Sequence, residues 1–266
     1  MNKKKLIVVT GPTAIGKTKL CIKLANYYDT NIISADSRQF YKELKIGSAP
    51  PNNEELRKIK HYFIQNISIK ENYNVGKYEK DAITKIEELF LLKDKLILVG
   101  GSGLYIDAIC KGIDEMPEIS KEIRKQVIEI YQNKGIGFLQ REIKNKDPKF
   151  YKEVDKKNHK RLIRALEIIY STNKTFSSFR KKRIKKRNFE IIRIGLKISR
   201  EILYERINKR VDSMMQKGLL KEVESLIPFK ENNSLNTVGY KELFDYFDGK
   251  YTITEAINKI KQNTRR

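Results

Sequence analysis

Gly11-Pro12-Thr13-Ala14-Ile15-Gly16-Lys17-Thr18 follows the apolar run Leu6-Ile7-Val8-Val9-Thr10 and leads into Lys19-Leu20-Cys21-Ile22-Lys23-Leu24-Ala25. This order reads as a strand, a glycine-rich turn and the first turns of a helix. The spacing is G-x-x-x-x-G-K-[ST], a phosphate-cradling loop. Glycines let backbone N–H groups turn inward onto an anion, and the helix N-terminus adds partial positive charge. Lys17 supplies a full charge, and the Thr18 hydroxyl is placed to bind a phosphate-linked Mg2+. A polyphosphate or pyrophosphate is expected here; the loop leaves open whether that group is transferred or departs.

Downstream, Asn31-Ile32-Ile33-Ser34-Ala35-Asp36 is a short apolar strand ending in a carboxylate, and Lys95-Leu96-Ile97-Leu98-Val99 is a third, closed by Gly100-Gly101-Ser102-Gly103. Ligands of open α/β sheets lie beyond the carboxyl ends of the strands, which puts Asp36 beside the phosphate loop. Asp36 is the only acidic residue closing one of these three strands, which weakens a motor-type ATPase reading. Between them, Pro50-Pro51-Asn52-Asn53 is expected to break regular structure, and His61, without ligand partners nearby in sequence, is given a structural role. Residues 76–92 have helical spacing, with Ala82, Ile83, Ile86, Leu89 and Phe90 on one face.

From about Gly112 to about Arg187 strand signals vanish and charged amphipathic helices take over. In Lys157–Tyr170, Leu162, Leu166 and Ile169 make a buried stripe, leaving Lys160, Arg161 and Arg164 on the other side, a solvated face or one suited to phosphates. Arg180–Arg187 has seven basic residues in eight and reads as a nucleic-acid-contacting segment or a disordered basic loop. A fourth strand, Glu190–Ile198, returns the chain to the sheet. Ser199 caps the next helix, which is expected to turn Leu203, Ile207, Val211 and Met214 inward and to stop at Gly218. On that helix Arg206 and Arg210, at i and i+4, share a face; they either close over a pyrophosphate or are simply solvated. A last helix opens with the capping box Thr252-Ile253-Thr254-Glu255.

Composition bounds the partners. The 266 residues carry 56 Lys+Arg against 33 Asp+Glu, a formal charge of +23. Such an excess predicts a polyanionic partner, with lysine-rich compositional drift as the bland alternative. Cys21 and Cys110 sit in apolar helical patterns without ligand spacing, as small core residues of a reducing compartment would. No apolar run approaches membrane-spanning length, and Met1-Asn2-Lys3-Lys4-Lys5 runs straight into a strand. A cytoplasmic protein with no membrane partner is expected.

Together these motifs resemble the tRNA dimethylallyltransferases, also called tRNA isopentenyltransferases, over nearly the whole chain. The resemblance is carried by Gly11–Thr18, Asp36-Ser37-Arg38-Gln39, Ile46-Gly47-Ser48-Ala49, Gly100-Gly101-Ser102-Gly103-Leu104-Tyr105, Arg161-Leu162-Ile163-Arg164-Ala165-Leu166-Glu167, Arg206–Gly218 and Gly239-Tyr240-Lys241. The phosphate loop alone is shared with many nucleotide enzymes; the Asp-Ser-x-Gln, Gly-Gly and Arg-Ala-Leu-Glu blocks are far more specific. The resemblance implies an α/β fold: a P-loop NTPase-like core with a parallel sheet (1–111 and 188–266) and a helical tRNA-binding insertion (112–187). It implies that dimethylallyl diphosphate occupies the loop and that the N6 amine of the adenosine just 3′ of the anticodon attacks its C1, releasing diphosphate. Asp36 is then the base, with Lys17 and Ser102 also catalytic. Gly11–Thr18, Arg206 and Arg210 hold the diphosphate, Thr18 holds Mg2+, and Asp36, Ser37, Arg38 and Gln39 hold the flipped base. Ser102, Arg124, Lys160, Arg161, Leu162, Ile163 and Arg164 contact the tRNA, and the chain is expected to act as a monomer.

The sequence departs from the family pattern at Ser102 and Ser48, where Thr is usual and the hydroxyl is kept, and at Pro50, where Lys is usual. Family members continue past the position of Arg266 with a basic, aromatic-containing tail, so a C-terminal truncation is expected. Two rivals come from the residues alone. A small P-loop kinase would use Asp36 to activate a hydroxyl and would turn over ATP. A non-catalytic RNA-binding or NTP-switch module would bind without turnover, which leaves Asp36 unexplained.

Overall fold

The computed structural model describes residues 3–181 and 183–266. The chain forms two compact units, one made of Met1–Cys110 with Lys186–Arg266 and one of Lys111–Lys185. No helix among the described residues is long and apolar enough to cross a membrane.

The first unit begins with β1 (Lys5–Thr10), α1 (Lys17–Tyr27), β2 (Ile32–Ser34), α2 (Asn53–Lys58), β3 (His61–Tyr62), α3 (Val75–Leu92), β4 (Lys95–Val99) and α4 (Gly103–Lys111). The sheet has the order β3-β2-β4-β1-β5, where β5 is the later strand Glu190–Gly195. All pairings are parallel, with Val8 opposite both Leu98 and Arg193, and Ser34 opposite Val99. A parallel sheet covered on both faces needs apolar side chains on both sides of each central strand. The unbroken apolar runs Leu6–Val9 and Leu96–Leu98 supply them. α1 buries Cys21 and Ala25 with Ile7, Val9, Ile32 and Ile97 on one face. α4 buries Ile106 and Ile109 with Leu6, Val8, Ile33, Leu96 and Leu98 on the other. The adjacent strands β1 and β4 therefore lead into helices on opposite faces, and a crevice opens beyond their carboxyl ends, where ligands of such sheets bind. With the phosphate loop joining β1 to α1, this is a P-loop NTPase-like core.

Residues 50–75 hold more structure than the sequence predicts. Asn52, expected to break structure, instead caps α2. Its side chain accepts from the Glu55 N–H at 2.8 Å while the Glu55 carboxylate accepts from the Asn52 N–H at 2.8 Å, a capping box. β3 adds a fifth strand that, at two residues, is too short to show a period.

After β5 come α9 (Arg200–Gln216), α10 (Leu219–Ser225), α11 (Tyr240–Phe247) and α12 (Ile253–Arg265). Ser199 caps α9, and Gly218, at φ 95°, separates it from α10. Ile207 and Val211 of α9 are buried, and the capping box at Thr252 opens α12. Cys21 and Cys110 are free thiols within the core.

The second unit comprises α5 (Lys121–Lys146, kinked at Gly135), α6 (Pro148–Glu153), α7 (His159–Thr172) and α8 (Phe176–Phe179). Its own core joins Val127, Leu139, Ile143, Phe150, Leu162, Leu166 and Ile169. Asp147, only 1% exposed, fastens α6 to α8. It accepts from the Phe150 N–H at 3.0 Å, the Ser177 N–H at 2.7 Å and the Ser177 hydroxyl at 2.8 Å.

Candidate active site

The loop after β1 is built to leave donors free. Gly16, at φ 103°, occupies the N-cap of α1 in a left-handed conformation that a side chain would strain, and no side chain caps the first turn. Its N–H groups are thus available to an anion. Ile15 is buried and pins the loop to the core. Lys17 folds back, and its Nζ donates to the carbonyls of Gly11 and Pro12, both at 2.8 Å. Burial lowers the Lys17 pKa, Asp36 pulls it up again, and Arg210 adds to the lowering.

Across the crevice the loops after β2 and β4 touch. A Cβ on Gly100 would lie 2.3 Å from the Ala35 carbonyl oxygen, so only glycine lets these strand ends close up. The Ser102 hydroxyl accepts from the Ser37 N–H at 3.0 Å and donates to the Ser37 hydroxyl at 3.1 Å, tying the two loops together. Asp36 turns its own loop by accepting from the Arg38 N–H at 3.0 Å on Oδ1. Its Oδ2 faces Gly101, at ordinary contact distance: a Cβ there would sit 3.5 Å away. Gln39 accepts from the Ser34 hydroxyl at 3.3 Å and donates to the carbonyls of Ser48 at 3.4 Å and Ala49 at 3.1 Å. The Arg38 guanidinium is taken up by the carbonyls of Asn233, Ser234 and Asn236 at 2.9–3.2 Å, bracing the turn before α11.

These parts enclose a cavity of about 320 Å3, within the range that holds a small-molecule ligand. Thr13, Ala14, Gly16, Lys17, Thr18, Asp36, Gln39 and Arg210 all line it. Arg210 is partly buried, which disfavours its charge, and Asp36 offsets that cost. Lys17 and Arg210 thus share one carboxylate within electrostatic reach, leaving the cradle net positive. Arg210 donates to the Ala49 carbonyl and Arg206 to the Ile15 carbonyl, each at a long 3.4 Å; Arg206 is exposed and lies outside the lining. None of the departures Ser48, Pro50 and Ser102 lines the cavity, although Pro51, next to Pro50, does. Among the described residues no group of three or more His, Cys, Asp or Glu side chains is placed to hold a metal. The Thr18 hydroxyl, on the wall beside Lys17, is the kind of oxygen donor that suits Mg2+ already held by phosphate.

His61 also lines the cavity, which its sequence surroundings do not announce. Its Nδ1–H donates to the Ile59 carbonyl at 2.8 Å, leaving Nε2 as a buried acceptor with no hydrogen-bond partner. Burial lowers its pKa, so the ring is held neutral.

The remaining predicted residues belong to the second unit. Lys160 and Arg161 are exposed on the first turn of α7, Leu162 is in its core, and Ile163 is partly buried beside it. Arg124 and Arg164 share the carboxylate of Glu167, itself 5% exposed, at 3.4 and 3.1 Å. Within the basic run, Lys182 lies outside the described residues; Arg180 pairs with Glu153 in the second unit, and Arg187 pairs with the buried Glu79 at 2.8 Å in the first.

The IPP transferase family model matches residues 39–266. A tRNA dimethylallyltransferase of Flavobacterium johnsoniae is 53% identical over 99% of this chain and 87% of its own length. One from Christiangramia forsetii is 54% identical over 98% and 86%. The crystal structure of the tRNA isopentenylpyrophosphate transferase of Bacillus halodurans superposes with a TM-score of 0.70 at 33% identity, over 99% of this chain and 84% of that one. A eukaryotic dimethylallyltransferase captured acting on tRNA gives 0.76 at 25% identity, over 98% and 67%.

Proposed function

The chain belongs to the IPP transferase family, and on that premise we propose that it moves the dimethylallyl group of dimethylallyl diphosphate onto N6 of the adenosine 3′-adjacent to the anticodon of tRNA. It is an enzyme of the tRNA dimethylallyltransferases, which prenylate tRNA. The observation that carries the site assignment is the placement of Asp36 in one cavity with the anion cradle, Lys17 and Arg210.

In this reading the free N–H groups of the loop and α1, with Lys17 and Arg210, hold the diphosphate. Arg206 adds charge from the same face of α9. As the allylic C1–O bond breaks, charge builds on the departing oxygens, where preformed donors and cations stabilise the transition state. Thr18 would hold Mg2+ through its hydroxyl; when bound, the ion neutralises part of the diphosphate charge. The N6–C1 bond forms as the N6 proton passes to Asp36 Oδ2, the oxygen that faces Gly101. The exocyclic amine is a poor nucleophile, so holding it in line supplies much of the rate. The adenine leaves its stack to reach this depth, and Ser37 and Gln39 receive it. Ser102 acts by fixing Ser37, and Arg38 by bracing the turn before α11. Arg124, Lys160, Arg161 and Arg164 are proposed tRNA contacts of the second unit, with Leu162 and Ile163 supporting that helix. The enzyme is proposed to work in the cytoplasm as a monomer.

The test is incubation with unmodified tRNA, Mg2+ and labelled dimethylallyl diphosphate, with ATP in a parallel reaction. Label in the tRNA and untouched ATP are expected. ATP turnover without prenylation would instead support the kinase reading.

A further inference from the structure

Glu222 lies on α10 and within none of the motifs above, yet its carboxylate reaches the segment that walls the cavity. Oε2 accepts from the Lys45 and Ile46 N–H groups at 2.9 and 2.8 Å. Oε1 accepts from the Gly47 N–H at 3.0 Å and from the Tyr240 hydroxyl at 2.7 Å. Three successive backbone N–H groups converging on one carboxylate form an anion nest filled by the protein itself. Tyr240 is fully buried and presses on the same segment: a Cβ on Gly47 would lie 2.6 Å from its ring. The next residues carry the constraint to the cavity. The Ser48 hydroxyl donates to the Leu44 carbonyl at 2.6 Å, and the Ala49 N–H to the Ile46 carbonyl at 2.9 Å. Ala49, held at φ 44°, presents the carbonyl on which both the Gln39 amide and Arg210 converge.

We propose that Glu222 is a positioning residue of the transfer reaction: with Tyr240 it clamps residues 45–49, and that segment sets the Gln39 amide and the Arg210 guanidinium at the cavity wall. The inference rests on the reading of this cavity as the transfer site. Glu222 does not itself line the cavity. It supplies the fixed surface against which two cavity side chains are aimed, and a misplacement of about 1 Å at such a distance costs about 100-fold in rate.

Glu222→Gln tests this, because the amide keeps the shape but offers one acceptor oxygen where two served four donors. Tyr240→Phe is the milder companion, leaving the three backbone donors in place. Three measurements are made: hydrogen exchange of the peptide spanning 41–49, binding of inorganic diphosphate, and the single-turnover rate of prenyl transfer at saturating donor and tRNA. For Glu222→Gln, exchange of residues 45–47 should quicken by about tenfold or more. The transfer rate should fall about 10- to 100-fold, and the diphosphate Kd should move by less than about threefold. Tyr240→Phe should lose about 3- to 10-fold in rate. In the pair Glu222→Gln and Gln39→Ala the losses should not multiply, since both act through the Ala49 carbonyl. Unchanged exchange, an unchanged rate in folded Glu222→Gln, or losses that multiply fully would each overturn the proposal, and a purely structural role would lower the melting temperature while leaving the rate per diphosphate-binding site intact. A wild-type chain that fails to prenylate tRNA would remove the reading of the site, while the exchange data judge the clamp independently.

Discussion

Asp36→Asn separates the two properties that the cavity combines. The amide oxygen can still accept the Arg38 N–H that Oδ1 now accepts at 3.0 Å, so the turn should survive. Two effects of opposite sign follow. Loss of the base should lower the single-turnover transfer rate by about 10²- to 10⁴-fold. Loss of the negative charge should tighten diphosphate binding, because Lys17 and Arg210 would face the ligand without the carboxylate that now offsets them. For two unit charges about 7 Å apart, the repulsion is about 0.6 kcal/mol in a water-like dielectric and about 2.4 kcal/mol at an effective dielectric of about 20. That corresponds to a Kd about 3- to 60-fold lower. The assay pairs calorimetric titration of inorganic diphosphate with rapid-quench transfer to tRNA at saturating donor. A rate within about threefold of wild type would refute the base assignment. A slower rate with weaker diphosphate binding would mean that the substitution had disturbed the cradle, and the charge argument would fail.

Lys17 gives a pH signature. Burial holds its pKa below the ordinary 10.5, so donor binding should weaken as pH rises through that lowered value. Because the folded chain binds this proton less tightly than the unfolded chain, the contribution of Lys17 to the stability of the ligand-free protein should rise over the same interval. Diphosphate titrations between pH 7 and 10.5 check this, and an affinity flat to the top of the range would contradict it. Asp147→Ala strands the Phe150 and Ser177 N–H donors inside the second unit and removes the cap of α6, so a cost of about 3–5 kcal/mol is expected. At about 4–8 °C per kcal/mol that lowers the first thermal transition by about 12 °C or more, and a shift of under about 3 °C would rule the account out. Arg124→Ala and Arg164→Ala should each flatten the slope of log K against log salt for tRNA binding by about 0.7–0.9. Their combination should lose less than the sum, because both arginines share Glu167. A slope unchanged in both variants would make the two arginines structural.

What the sequence discloses follows from how local the physics is. The phosphate loop, the central strands, the Ser199 and Thr252 caps and the stop at Gly218 are each settled within a few residues, and each is legible. Asp36 is legible as a site residue because a strand end fixes where it lies. The two-residue β3 is not, since two residues carry no period, and Asn52 beside Pro50-Pro51 reads as a break although it caps a helix. Arg38 looks like a ligand contact in its tetrapeptide, yet its partners are carbonyls almost two hundred positions away. His61 and Glu222 are hidden for the same reason: a cavity wall and a carboxylate nest are assembled from distant segments, and neither leaves a pattern along the chain.

The cavity keeps its opposite charges close without pairing them. Lys17 is tied to the Gly11 and Pro12 carbonyls, Asp36 to the Arg38 N–H, and Arg210 reaches the Ala49 carbonyl at 3.4 Å. Among the described residues no ion pair within 4.0 Å joins Asp36 to either cation, although each feels its field. A direct pair would blunt both partners: the carboxylate would become a weaker base, and the cation would have to break a charge-assisted bond before meeting the donor's diphosphate. Neutral backbone groups fix the three side chains instead, leaving Asp36 Oδ2 and the positive cradle available together. An incoming diphosphate can then replace carbonyl contacts at Lys17 and Arg210 with charged ones, while Asp36 remains available for the proton on the amine. Such a division suits the proposed reaction, in which an anion leaves and a proton is lost at opposite ends of the bond change, with the loop after β1 proposed for the first task and the loop after β2 for the second.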